Sequence, residues 1–271
     1  MTYLVAGATG KAGRNVVDNL LRHGQRVRAL TTNAAKARFP AGVEIFQGDL
    51  TKPETLKTAF DGVVGLHMVT GAGADYAIAT GPEIVRMAER AGVRRATLLW
   101  NGLRGAVEQA FAGSSIVWTR LEAVSFMGNV LHVAGQIRER GAISEFMPDT
   151  QEAVIDEADV GAVAAHILVH GGHDREVCEL TGPEALSARQ RIAILGEALG
   201  REIRVIEFDE NEARANWRAH GHSDVLIDKL VAWQLDLASK PSAPSPAVEA
   251  ILGRPAGSFR QWASANAAAF R

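Results

Sequence analysis

Three glycines near the start of the chain are spaced to bind a phosphate group. Gly7, Gly10 and Gly13 lie in Gly-Ala-Thr-Gly-Lys-Ala-Gly at 7–13, between a short apolar run and a helical pattern. In a strand–turn–helix unit the first glycine permits the tight turn, the second lets a pyrophosphate approach the backbone, and the third lets the helix pack on the strand. The N–H groups at the helix start complete the anion site. An ordinary glycine-rich turn is the alternative, but this position in a βαβ unit favours a dinucleotide.

The second predicted strand indicates which dinucleotide is bound. NAD sites usually carry an acidic residue about 20 residues after the glycines, where it binds the ribose 2′-hydroxyl. Here no Asp or Glu occurs between Asp18 and Glu44. A cationic pocket without an acid suits the 2′-phosphate of NADP, so the sequence favours NADP over NAD. The interval includes the cations Arg26, Arg28, Lys36 and Arg38, with Thr31, Thr32 and Asn33 at the predicted strand end.

The elements that position these residues are predicted from hydrophobic patterns. Short apolar runs alternate with helical patterns through the first half, which predicts βαβ units and a parallel sheet. The predicted strands lie at 4–6, 27–30, 43–46, 63–69, 96–100, 116–121 and 177–180. The fold class is therefore α/β, a Rossmann doubly wound parallel sheet with a smaller, mostly helical C-terminal lobe. We expect an NAD(P)-binding domain at 1–122, completed by about 153–181, and a substrate-binding lobe at 123–152 and 182–271, with ligands bound in the crevice between them.

Composition excludes several classes of protein. The 271 residues carry a net charge of −2, which gives no reason to expect a nucleic-acid or membrane partner. The single cysteine excludes an internal disulfide, and although His166, His170 and His173 have metal-like spacing, we expect packing or surface histidines and no metal. With no run of about 18 apolar residues and no basic leader, we expect a soluble, cytoplasmic protein. The oligomeric state stays open, with a homodimer as the candidate.

Several motifs taken together resemble the NmrA-like group of atypical short-chain dehydrogenase/reductases. Besides the glycine turn they are Gly48-Asp49-Leu50, Trp118-Thr119 with the residues at 121–129, the residues at 180–187, and Gly253-Arg254-Pro255 with Phe259 and Trp262. The resemblance runs from end to end and implies an NAD(P)-binding Rossmann fold with a small substrate lobe. Members of this group include quinone, azo-dye and triphenylmethane reductases and a redox-sensing regulator without enzymatic activity.

The resemblance also implies a set of cofactor-binding residues. It places Gly7, Thr9, Gly10, Lys11 and Gly13 at the pyrophosphate, Thr32, Asn33 and Lys36 near the adenosine ribose, and Asp49 and Leu50 near adenine. Considered without the resemblance, Asp49 is equally well explained as the cap of a turn.

The same resemblance implies where the nicotinamide and the substrate lie. Thr70 and Asn101 line the path to the nicotinamide, and 122–126 packs beside it with Asn129 close behind. Trp100 and Phe126 stand at predicted sheet ends. We therefore expect Trp100, Phe126 and Asn129 to line the pocket of an aromatic or quinone-like small molecule.

The usual catalytic pair of short-chain reductases is missing from the sequence. In a Tyr-x-x-x-Lys pair the lysine lowers the pKa of the tyrosine, which donates the proton. Of the two tyrosines, Tyr3 lies in the first predicted strand, and Tyr76 has Thr80 at the lysine position. No lysine occurs between Lys57 and Lys229.

Two hypotheses follow from this absence. The first is an NADP(H)-dependent oxidoreductase that passes hydride to a quinone-like or conjugated carbonyl acceptor, with solvent as the proton source. Asn101 is the catalytic candidate that would orient a carbonyl or a water, unless it only caps the next helix. The alternative is a non-catalytic NAD(P)-sensing regulatory protein that binds a protein partner.

Overall fold

The computed structural model describes residues 1–71, 78–100, 102, 105–240 and 242–271. The strands in these ranges are β1 (Thr2–Val5), β2 (Arg26–Thr31), β3 (Val43–Gln47), β4 (Val63–Val69), β5 (Arg95–Leu99), β6 (Val117–Ala123), β7 (Ala142–Phe146), β8 (Gln151–Glu152), β9 (Val177–Leu180), β10 (Leu186–Ser187) and β11 (Arg204–Phe208). The helices are α1 (Lys11–Arg22), α2 (Gly81–Arg90), α3 (Ala106–Ala112), α4 (Ala134–Arg140), α5 (Glu157–His170), α6 (Ala188–Leu199), α7 (Glu210–Ala219), α8 (Asp224–Ser239), α9 (Ala247–Leu252) and α10 (Phe259–Asn266).

The chain divides into two compact units. Unit 1 comprises 1–123, 157–180 and 247–254, and unit 2 comprises 124–156, 181–246 and 255–271. In this division the segment 247–254, which the sequence placed with the C-terminal lobe, belongs to unit 1. Each unit is therefore assembled from separated stretches of the chain.

Unit 1 contains a parallel sheet whose order, among the described residues, is β3-β2-β1-β4-β5-β6-β9. This is the strand order of a Rossmann fold, extended by one strand, and the predicted fold class is confirmed. Strand β1 is typical of the centre, since Leu4 and Val5 are fully buried. Strands covered by helices on both faces need such continuous apolar runs, which explains why the sequence revealed them.

Helix α1 is held in place by close packing on α5. A Cβ atom added to Gly161 of α5 would lie 2.3 Å from the Cβ of Asn15 and 2.8 Å from the backbone N of Val16. The two helices thus approach as closely as their backbones allow. Because the glycine turn lies at the start of α1, this packing also sets the position of the turn.

Unit 2 combines helices with two small sheets. Strands β7 and β11 pair in parallel, and β8 and β10 pair antiparallel. Helix α6 has a cap at each end: the Ser187 hydroxyl accepts from the Gln190 N–H at 3.2 Å, and Gly200 ends the helix at a φ of 68°. A core cluster joins α4, α6 and α10 through Ile137, Ile192, Leu195, Phe259 and Trp262.

Two helices differ from what the apolar pattern of the sequence predicts. The pattern predicts a short helix around 56–60, where the structure has a 3₁₀ turn at Pro53–Leu56 that a proline opens. It also predicts a helix over roughly 76–91, which begins at Gly81 in the described residues, and Tyr76 itself lies outside them. In the described part of the chain, no helix is both long and apolar enough to cross a membrane.

The α1–α5 contact can be tested with a pair of glycine substitutions. Gly161→Ala should lower the free energy of unfolding by about 1–3 kcal/mol, because the added methyl forces α1 and α5 apart. Gly135→Ala is the control: Gly135 is also helical, a Cβ there meets nothing within 4 Å, and we expect a gain of up to about 1 kcal/mol. Urea denaturation measures both, and equal effects would contradict the tight α1–α5 contact.

Candidate functional site

The residues predicted to bind the cofactor lie at one edge of the unit 1 sheet. Strands β3, β2, β1 and β4 are parallel neighbours in that order, so their carboxyl ends meet at this edge. The glycine turn follows β1, Thr32 follows β2, Asp49 follows β3 and Thr70 follows β4. Open parallel sheets bind ligands at this edge, so the geometry agrees with a dinucleotide site in unit 1.

The glycine turn has the shape that a pyrophosphate requires. Gly7 has a φ of 68°, a conformation that L side chains rarely adopt, and the Gly10 N–H donates to the Gly7 carbonyl at 2.9 Å. A Cβ on Gly13 would lie only 2.1 Å from that carbonyl oxygen. The N-cap of α1 is Gly10, which has no side chain with which to cap the first N–H groups. The backbone at the start of α1 therefore leaves room for a bound anion.

The end of β2 carries the residues predicted at the ribose. Thr32, Asn33 and Lys36 are exposed there, and the Asn33 Oδ1 accepts from the Lys36 N–H at 3.2 Å. This bond caps the 3₁₀ turn Ala34–Lys36. The turn keeps Lys36 at the carboxyl end of the strand.

Only some cations of the acid-free interval are near this end. Arg26 lies at the opposite end of β2. The Arg28 side chain is occupied, since its Nε lies 2.9 Å from a Glu44 carboxylate oxygen and its Nη1 donates to the Ala59 carbonyl at 2.7 Å. Lys36 and Arg38 lie near the carboxyl end and are exposed, and the Arg38 Nη1 also donates to the Ala35 and Ala37 carbonyls at 2.8 Å.

Arg14 is a candidate that sequence reasoning missed. Its Nη1 donates to the Arg38 carbonyl at 3.1 Å, and its guanidinium lies 5.6 Å from the centre of the Phe39 ring. This places a third exposed cation beside Lys36 and Arg38. A signal was present in the sequence, because Arg14 directly follows Gly13 and therefore lies in the first turn of α1.

Asp49 and Thr70 have structural partners as well as their predicted roles. The Thr51 hydroxyl and N–H both donate to the Asp49 Oδ1, at 2.7 and 2.8 Å, and they lower the pKa of this carboxyl. Asp49 therefore caps a turn, as its alternative explanation predicts, and it is ionised at neutral pH. Leu50 is buried in the core, and the buried Thr70 donates its N–H to the Leu99 carbonyl at 3.0 Å.

The residues predicted at the nicotinamide and substrate fall in different units. Trp100 belongs to unit 1, where the Arg120 guanidinium lies 5.2 Å from the centre of its ring. Phe126 and Asn129 belong to unit 2 and line the same cavity there. Asn101, the catalytic candidate, lies outside the described residues.

That cavity of unit 2 has a volume of about 80 Å³ and mixed walls. Phe126 and Val130 contribute apolar surface, while Glu145 and Arg191 contribute charged groups. Sequence reasoning missed the last two, because a glutamate in a short strand and an arginine in a helix carry no motif. We call this space the small cavity.

The histidines with metal-like spacing form ring contacts. The His170 ring centre lies 4.7 Å from that of His166 and 5.1 Å from that of His23. Burial lowers the pKa of His166, and its histidine neighbours lower it further. Within the described ranges, no group of three or more His, Cys, Asp or Glu side chains is arranged to hold a metal ion.

Comparisons with known proteins agree with this geometry. Residues 1–111 match the model of the NmrA-like family. The chain is 31% identical over 283 residues to the NAD(P)H azoreductase of Xenophilus azovorans, covering 98% of both chains. It is also 31% identical over 281 residues to the (4-alkanoyl-5-oxo-2,5-dihydrofuran-3-yl)methyl phosphate reductase of Streptomyces griseus, again covering 98% of each.

A solved structure has the same fold over its whole length. The NADPH-dependent quinone oxidoreductase of Escherichia coli, complexed with NADPH, superposes with a TM-score of 0.82 at 24% identity, covering 98% of this chain and 99% of that one. Fold and glycine turn thus define a dinucleotide-binding protein of the Rossmann class. The chain belongs to the NmrA-like family, and within it the chain is an oxidoreductase.

The close approach of Gly13 to Gly7 gives a test of the cofactor site. Gly13→Ala should weaken NADPH binding about tenfold to a hundredfold, since the methyl displaces the start of α1 from the turn. Quenching of intrinsic fluorescence during NADPH titration measures the affinity. Gly113→Ala is the control, because a Cβ there meets no atom closer than 3.9 Å. If Gly13→Ala protein folds and binds NADPH with unchanged affinity, the glycine turn is not the cofactor site.

Proposed function

We propose that this chain uses NADPH to reduce a quinone-like or conjugated carbonyl compound. The observation that carries the proposal is the pyrophosphate cradle between Gly7 and Gly13, which is intact in a chain whose full-length relatives are reductases. NADPH supplies the hydride when it is bound. The residues of the chain bind and orient the two reactants.

The cofactor is held by unit 1. Backbone N–H groups at the start of α1, together with Lys11, bind the pyrophosphate. The second oxygen of Asp49, which is not used in the turn, accepts from the adenine amino group. Thr32 and Asn33 lie at the ribose.

The 2′-phosphate of NADP is recognised by cations at the end of β2. Arg14, Lys36 and Arg38 are exposed at this end, and no acidic residue lies in the interval between Asp18 and Glu44 to attract a 2′-hydroxyl instead. A phosphate gains charge-assisted hydrogen bonds from such groups, whereas NAD has no group to receive them. This arrangement supports NADP as the preferred cofactor.

The acceptor is held by unit 2, at the small cavity lined by Phe126 and Asn129. Reduction of a quinone adds one hydride and one proton. Hydride transfer to an electron-poor ring depends mainly on orientation, so water can deliver the proton and a Tyr-x-x-x-Lys pair is not required. Asn101 would orient the acceptor carbonyl or this water.

The activity is tested by following the nicotinamide absorbance of NADPH with quinones, azo dyes and enones in turn. We expect an acceptor-dependent loss of NADPH, and no loss when the acceptor is omitted. At an NADPH concentration below the Kd, Gly13→Ala protein should turn over about tenfold to a hundredfold more slowly, in step with its weaker binding. A protein that binds NADPH but oxidises it with none of these acceptors would contradict the proposal and favour an NAD(P)-sensing regulator.

Cofactor preference is tested by neutralising cations one at a time. Arg14→Gln and Lys36→Gln should each lower kcat/KM for NADPH about tenfold or more and leave that for NADH unchanged, because each loses a charged hydrogen bond to the 2′-phosphate. Arg26→Gln is the matched control, since Arg26 is equally exposed but lies at the other end of β2. Equal rates of the unmodified protein with NADH and NADPH would refute the NADP preference.

A further inference from the structure

A second cavity of unit 2 adjoins the small one. It has a volume of about 440 Å³, and we call it the large cavity. His132, Val133 and Glu145 line both spaces. The two cavities therefore share a wall, and Glu145 of β7 stands in it.

The large cavity, which adjoins the acceptor site proposed at the small cavity, suits a further aromatic ring of the same acceptor. Its walls include Phe146, Phe208 and Trp217. The Trp217 ring stands edge-on to that of Phe146, with ring centres 6.2 Å apart and an angle of 86° between the planes. Flat aromatic molecules gain offset or edge contacts in such surroundings, and the volume lies in the range of small-molecule sites.

The cation behind this wall is already paired. Arg191 Nη1 lies 3.3 Å from the Glu152 Oε2 and donates to the Leu186 carbonyl at 3.1 Å. The Glu152 side chain is only 5% exposed, so the pair is largely shielded from water. Arg191 is therefore committed to Glu152 and has little charge to offer a ligand.

With Glu145 present, the shared wall carries more carboxyl groups than cations. It accepts one hydrogen bond, from the Phe146 N–H at 3.3 Å, in the described part of the chain. Burial raises the pKa of Glu145, Arg191 lowers it, and Glu152 raises it again. Burial likewise raises the pKa of Glu152. Two carboxyl groups thus share one guanidinium in surroundings that poorly screen charge.

Three histidines also line the large cavity and bear on its charge. They are His132, from the 3₁₀ turn Met127–Val133, and His220 and His222, which follow α7. His132 and His220 each use Nδ1 in a contact with a backbone carbonyl, of Asn129 and Asn216 respectively. Because these histidines line the same space as Glu145, a test of the Glu145 charge is made at one fixed pH.

We propose that Glu145 selects aromatic acceptors by charge, admitting neutral or cationic rings and rejecting rings that bear a sulfonate or a carboxylate. The selection rests on the proposed reductase function, because it names the substrate class of the same enzyme. An ionised Glu145 repels an anionic substituent directly.

Two dyes that differ by one group test this selection. 4-Dimethylaminoazobenzene is neutral, and methyl orange is the same molecule with a ring sulfonate. Quenching of tryptophan fluorescence at about pH 8 without cofactor measures both affinities. We expect methyl orange to bind about tenfold more weakly, which corresponds to one charge repulsion of about 1.4 kcal/mol.

Variants assign the effect to its residue. Glu145→Gln keeps the shape and the bond from Phe146 and should bring the two affinities within about threefold of each other. Glu139→Gln is the matched control, an exposed glutamate of α4 that lines neither cavity, and it should keep the tenfold difference. If Glu145→Gln does not fold, Glu145→Ala replaces it with the same expected result.

Each outcome decides one of the two proposals. Equal affinities in the unmodified protein, binding of neither dye, or an unchanged difference in Glu145→Gln would overturn the selection. Turnover of NADPH with the uncharged quinone menadione is measured separately. Failure of that turnover with every acceptor would overturn the reductase function, whereas the dye affinities, measured without cofactor, would still decide whether Glu145 selects by charge.

Discussion

The backbone contact between Gly7 and Gly13 is the constraint on which unit 1 depends. Helix α1 can start directly above the end of β1 only because no Cβ stands between its first turn and the Gly7 carbonyl. The same closeness is repeated further along α1, where Gly161 lets α5 lie against Asn15. Two glycine contacts therefore hold α1, one between Gly13 and the turn after β1 and one between Gly161 of α5 and Asn15. Together they fix the direction in which the N–H groups of α1 point. A phosphate site made of backbone atoms needs this rigidity, because no side chain can adjust to correct an error of position.

Charges in this protein act according to where the fold places them, and not by their number. Arg28 belongs to an interval rich in cations, yet its guanidinium is already bound by the Glu44 carboxylate and by three backbone carbonyls. Arg14 lies outside that interval, but the fold brings it to Arg38. In unit 2, Arg191 is likewise committed to Glu152. The charge that a site can offer a ligand is therefore the charge of the side chains that are not paired within the protein.

Much of unit 1 could be predicted from the sequence, whereas the cavities of unit 2 could not. Strands such as β4 are buried on both faces and therefore stand out as continuous apolar runs. Strand β7 has two partly buried residues in five and belongs to a two-stranded sheet, so it has no comparable pattern. Glu145 lies in that strand, and its neighbours Arg191 and Trp217 come from distant helices. Only the folded chain brings these residues together, while the glycine turn is contiguous and visible in seven residues.

The interleaving of the two units has a consequence for how the chain acquires its structure. Strand β9 and helix α5 of unit 1 follow the first segment of unit 2, and α9 follows the second. The Arg254 guanidinium, at the end of the last unit 1 segment, pairs at 2.7 Å with the buried Asp159 at the start of α5. During synthesis, the sheet of unit 1 therefore stays incomplete until the first segment of unit 2 has emerged from the ribosome, and α9 emerges only after the second. Contacts so distant along the chain form slowly, and neither unit can be excised as one continuous fragment.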